Sequence, residues 1–149
     1  ARFEAGGSGQ WIALVHGENG LTADHGFGSQ AEVLIRTRQA GDRVGATMMD
    51  RPEWIAVHPV TGEVYCTLTN NNRRGGATAN AADGTTPLAG AQPPVDGANP
   101  RANNAFGHIV RWREAGGDAA ATRFTWDVFL QAGEPTHADP LKRGNVKGG

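Results

Sequence analysis

The chain has 149 residues, enough for one domain with a real core, but only 38% are hydrophobic and 22 glycines stand beside eight prolines. Much of it must therefore be turn and loop. A net charge of −1 gives no reason to invoke nucleic acid or a membrane surface, and no apolar run is long enough to cross a bilayer.

A lone cysteine, Cys66, excludes an internal disulfide and leaves the redox compartment open. No signal peptide stands at Ala1, so any export signal would precede it.

In chain order, residues 1–4 and 10–15 read as two short strands, with Gly6, Gly7, Ser8 and Gly9 as the turn between them. Such a pair is marginal alone and wants neighbours. Residues 16–28 are polar and glycine-rich and read as loop. Asp24 and His25 within it are either a metal-binding pair or, the commoner use of such residues, solvated. Ser29 and Glu32 form a capping box. With Ala31, Leu34 and Ile35 at helical spacing, they predict a helix near 30–39 that ends at Gly41 and turns Arg36 and Arg38 to water.

Residues 53–58 and 64–69 then read as a β-hairpin. Pro59 and Gly62 supply the turn, one by fixing φ and the other by tolerating positive φ. Ile55 and Val57 alternate with Trp54 and Ala56, and Val64, Cys66 and Leu68 with Tyr65, Thr67 and Thr69. Both faces are apolar or small, so the expectation is a hairpin covered on both sides. Cys66, in mid-strand, reads as a small buried residue, and His58 and His108 as strand residues near turns.

A long irregular loop, 73–105, follows. Loops of that length are uncommon in compact domains unless they are functional or disordered. Its end, from Asn99 through Arg101 to Asn104, repeats the Asn and Arg chemistry of residues 70–74, so the loop is expected to return to the hairpin's open end. Residues 108–113 and 123–130 close a four-stranded meander, and residues 134–149 read as loop or disordered tail. The fold class expected is mainly β, part of a β-propeller, with about one full four-stranded blade plus part of another. Closure takes about four to eight blades. Residues 1–149 are therefore expected to be an internal segment of a larger domain. Its apolar faces, with Trp54, Phe124 and Trp126, would be covered by the remaining blades or by self-association.

The chemistry gathers at the ends of the hairpin. Asp50, Arg51 and Glu53 place two carboxylates and a guanidinium around the stiff Pro52, and Asn70, Asn71 and Asn72 lead into Arg73 and Arg74. Strand positions near 53 and 69 should lie side by side. These residues are either a charged strand start capped by turn formers, or one rim suited to an oxyanion or a hard cation such as calcium.

Four blocks also carry a family resemblance. They are residues 46–54 around Asp50-Arg51-Pro52-Glu53, 57–65, 68–72, and 98–104 followed by 106–112. In that order they resemble PhoX-type alkaline phosphatases, whose members are several times longer. The resemblance implies a metal-dependent phosphatase acting on phosphate monoesters. It further implies a six-bladed propeller with iron and calcium at its axis, exported by the twin-arginine route to the periplasm or beyond.

It also implies that Glu53 is a metal ligand, braced by Asp50 and Arg51. Asn70 and Asn71 become candidates to meet substrate, and Arg101 and Asn104 possible catalytic groups. The family's Thr-Cys-Glu-Glu block is absent from this chain, so most of the metal shell would come from elsewhere. Two other readings stay open: a calcium-dependent propeller lactonase or esterase, and a non-catalytic propeller segment with a structural or binding role.

Overall fold

The computed structural model describes residues 1–76 and 92–145. Residues 77–91 of loop 73–105 thus lie outside the described residues.

Alternation of apolar and polar side chains dictates the sheet. Strands β1 (Arg2–Phe3), β2 (Ser8–Gln10), β3 (Pro52–Val57), β4 (Val64–Leu68), β5 (His108–Glu114) and β6 (Arg123–Gln131) form one antiparallel sheet in the order β1-β2-β6-β5-β4-β3. The predicted meander is β3 to β6. The two N-terminal strands, marginal as a pair, find their neighbours by extending that same sheet beyond β6. They are also shorter than predicted: residues 11–15 leave the sheet after Gln10.

One face of the sheet carries the core. Cys66 pairs with Val110, and Trp112 with both Val64 and Trp126. Cys66, Leu68, Val110, Trp112 and Phe124 are buried, with Phe3, Met49 and Trp126 packed against them. Phe3 meets the rings of Phe124 and Trp126 edge-on at 5.1 and 5.3 Å. Phe124 and Trp126 are therefore covered from within the chain, contrary to the expected exposed patch. Burying a ring such as Phe124 contributes about 2 kcal/mol. Gly9 permits it, because a Cβ there would stand 2.1 Å from the Phe124 ring.

The hairpin departs from expectation on β3. Gly62 takes φ 71° in the turn as predicted, but β3 is exposed along its whole length, with Trp54 73% accessible. Two-sided apolar patterning shows that both faces are fit for burial; it cannot supply the elements that bury them. Here β3 is the sheet edge with β4 on one side alone.

A second, smaller core lies in the helical region. The single predicted helix is two, α1 (Gln30–Ile35) and α2 (Thr37–Arg43), broken at Arg36. Ser29 accepts from the Glu32 amide, but Glu32 reaches back to the amide of Gly28 and not to that of Ser29. Val33 and Ala40 are buried with Leu21, Phe27 and Val44, while Leu34 and Ile35 are exposed. The helical period was right and the packed face was not, because loop residues Leu21 and Phe27 supply the opposing surface. Gly41 lies inside α2, and the chain reverses at Gly45, φ 68°.

After β6 the chain doubles back. Asn145 donates its amide to the Gln131 carbonyl and accepts from the Gln131 amide through Oδ1. Among the described residues no helix is long and apolar enough to cross a membrane.

Candidate functional site

Antiparallel register brings four strand ends to one rim. Pro52 pairs with Leu68, Leu68 with His108, and His108 with Gln131, a continuous row across β3, β4, β5 and β6. At or just beyond that row stand Asp50, Arg51, Glu53, Asn70, Asn71, Arg101 and Asn104. The return of loop 73–105 is seen directly, since Asn71 and Asn104 form an isolated bridge with a 2.7 Å bond from the Asn71 amide to the Asn104 carbonyl.

Beneath the rim lies a buried polar cluster centred on Asp50, which is fully buried. Its Oδ1 accepts from Asn71 Nδ2 at 2.8 Å and from Arg74 Nε at 2.7 Å, and its Oδ2 accepts from Asn104 Nδ2 at 2.9 Å. Its amide donates to Asn99 Oδ1 at 2.9 Å. Arg74 also donates to the carbonyls of Pro94 and Met48, and its Nη1 lies 3.8 Å from Asp96 Oδ2. Asn99 Nδ2 donates to the same Met48 carbonyl and to Asp96. A buried carboxylate is tolerable only when paired and hydrogen-bonded in this way.

His108 completes the cluster. Its Nε2 lies 2.7 Å from the Ala98 carbonyl, which must accept, so Nε2 carries the proton and Nδ1 accepts from Asn104 Nδ2. Burial pushes the imidazole below its ordinary value, opposed by the Ala98 carbonyl and Asp50. Arg101 is buried as well. It donates to the carbonyls of Ala132, Gly107 and, at 3.4 Å, Arg143, leaving Nε buried without a partner among the described residues. Burial lowers its pKa from the usual value, with Asp50 pulling the other way.

The sequence candidates thus divide. Asp50, Arg101 and Asn104 are buried, and Asn71 is half-buried with its amide committed to Asp50. Arg51, Glu53 and Asn70 stand exposed at the surface of the rim. Arg51 takes the left-handed φ of 42° and donates to Asn70 Oδ1 at 3.2 Å. Glu53 falls in the register shift between Pro52 and Trp54, where a bulge re-aims a side chain. It makes no hydrogen bond or ion pair among the described residues. Asp50 and Glu53, three residues apart, therefore do opposite things, because the left-handed turn at Arg51 and the bulge lie between them.

Three members of the cluster carry no individual role in the sequence reading: Arg74 and Asn99, which stand there only within the Asn and Arg runs, and His108, which reads as a strand residue. The signal for Arg74 and Asn99 lay in the Asn and Arg runs that hold Asn71 and Arg101. For His108 it was the alternation of β5, which sets it inward with Val110 and Trp112. The remaining candidates lie elsewhere. Cys66 sits in the sheet core with burial pushing its thiol up. His58 accepts from the Val60 and Thr61 amides in the hairpin turn. His25 is exposed, 2.7 Å from an Arg43 nitrogen.

The family model for alkaline phosphatase PhoX matches residues 1–149. The chain belongs to the PhoX alkaline phosphatase family. A solved structure of Pseudomonas fluorescens PhoX in complex with vanadate, a transition state analogue, superposes with a TM-score of 0.80 at 50% sequence identity. The match covers 96% of this chain and 24% of that one, so the chain spans about a quarter of its solved PhoX relative. No curated protein sequence matches it significantly.

The PhoX family's metal dependence sets a test for these residues. Among the described residues no group of three or more His, Cys, Asp or Glu side chains could hold a metal ion. A complete metal shell is therefore not built from them. Glu53 offers a hard carboxylate without a partner among the described residues, and Asn70 beside Arg51 adds an amide oxygen. The rim fits a contribution to a shared cation.

Proposed function

We propose that the chain is an internal segment of a metal-dependent phosphatase that hydrolyses phosphate monoesters. The observation that carries this reading is a PhoX match over the whole chain, joined to 50% identity with a PhoX that binds vanadate. In this reading Glu53 donates one carboxylate to calcium or iron completed by residues outside the segment. The metals, when bound, polarise phosphoryl oxygens and offset developing negative charge.

Arg51 stands exposed near Glu53, and its planar fork suits phosphate oxygens. Asn70 holds that fork from one side. Asp50, Asn71, Asn104 and Arg101 hold the floor on which the rim rests. The exposed β3 edge and its Trp54, Ile55 and Val57 fit burial against further blades of a propeller. Export to the periplasm or beyond by the twin-arginine route belongs to the same reading, and cell fractionation tests it.

The deciding experiment assays the full-length protein with p-nitrophenyl phosphate and with a lactone, each with and without calcium and a chelator. Phosphate ester hydrolysis that is lost on chelation and blocked by vanadate supports the proposal. Lactone hydrolysis alone, or a metal-free, self-associated protein inert to every ester, overturns it.

A further inference from the structure

Arg74 ends the Asn and Arg run of residues 70–74, and its environment is unusual. The side chain is fully buried, and its guanidinium ties two segments distant in sequence, residues 48–50 and Pro94, to its own. Nε bonds Asp50 Oδ1 at 2.7 Å, one Nη the Met48 carbonyl, and the other the Pro94 carbonyl. Asn99 grips the same stretch from the loop side, through the Asp50 amide and the Met48 carbonyl. Residues 48–50 are therefore held at both backbone and side chain. The next residue is Arg51, in the left-handed region with φ 42°. A non-glycine residue held there is strained and persists only where its surroundings over-determine it. Pro52 then fixes its own φ, and Glu53 follows in the bulge.

We infer that Arg74 is a positioning residue for the phosphatase reaction: its three-way clamp on Met48, Asp50 and Pro94 holds the strained Arg51 turn, and so sets the direction of both Arg51 and Glu53. The inference rests on the phosphatase reading above. Without the clamp, Arg51 relaxes to negative φ, and the two exposed side chains lose their fixed relation to each other. Lysine cannot substitute, since a single ammonium on a flexible stem cannot span the three acceptors in the plane that a guanidinium does.

The test uses the full-length protein with p-nitrophenyl phosphate as substrate and vanadate as a transition-state probe. Arg74→Lys keeps the charge beside Asp50. It is expected to lower kcat about ten- to a hundredfold while KM moves less than about threefold, the pattern of lost positioning. Vanadate inhibition should weaken in step with kcat, and inhibition by inorganic phosphate should not.

Val110→Ala, in the sheet core, is the stability control: it should lose thermal stability and keep kcat. The inference is overturned if Arg74→Lys keeps kcat and vanadate inhibition within about twofold of wild type. It is equally overturned if Val110→Ala loses as much kcat for the same loss of stability. Should Arg74→Lys fail to fold, Asn99→Ala loosens the same clamp without stranding a charge, and the same outcomes decide. A wild-type protein inert to the ester removes the phosphatase reading itself and this inference with it, whereas an active wild type with unaffected variants removes the inference alone.

Discussion

Asp50 and Arg74 form an ion pair at 2.7 Å with neither side chain exposed. Replacing both by apolar groups can be neutral, but removing one partner leaves a buried charge uncompensated. Asp50→Ala should therefore cost about 3 to 5 kcal/mol. Urea unfolding of the full-length protein measures it, and a loss below about 1 kcal/mol, typical of exposed pairs, would contradict the burial.

His108 makes the same cluster sensitive to acid. Its pKa in the folded state lies below the ordinary value, chiefly through burial, so the unfolded chain binds the proton more readily. Stability from the neutral imidazole is then fully present above about pH 6.5 and is lost as pH falls below it. Thermal melts from neutral to mildly acidic pH should show that decline, and His108→Gln should flatten it. An unchanged slope in the variant would assign the acid sensitivity to other groups.

Glu53 separates stability from activity. It is exposed and unpartnered among the described residues, so Glu53→Gln should change stability by less than about 0.5 kcal/mol. If it ligates a metal shared with the rest of the protein, the same change should lower bound metal and phosphatase activity together. Elemental analysis beside a melting curve checks both. Full metal content and activity in the variant would remove Glu53 from the site.

Gly107 lies where β5 leaves the rim. Its φ is 79°, and a Cβ would stand 2.2 Å from the Leu68 carbonyl oxygen. Its own carbonyl accepts from Arg101. Gly107→Ala should thus destabilise by roughly 2 kcal/mol or more, read from the shift in the unfolding midpoint. A midpoint equal to wild type would mean that β4 and β5 can part at this point without cost.

Much of this site is legible in the chain itself, residue by residue. The match of Asn70–Asn72 with Asn103–Asn104 announces that a long loop comes back to the hairpin, and the Asn71–Asn104 bridge is that return. Arg74 is harder to see, because an arginine after a run of asparagines reads as solvated. Its burial follows only once Met48, Asp50 and Pro94 are brought around it. The tilt of α1 is hidden for the same reason. Helical spacing names the period, but Leu21 and Phe27, from a loop with no period, choose Val33 over Leu34 and Ile35.

The order of residues by itself settled the four-stranded meander, the glycine turn at Gly62 and the meeting of Asn and Arg runs at one rim, since strand alternation and turn chemistry are local properties. Tertiary structure alone decided that Asp50 is buried and Glu53 exposed, and that β3 is bare. Which way a carboxylate faces depends on a left-handed turn and a bulge, and whether an apolar strand is covered depends on what lies beside it.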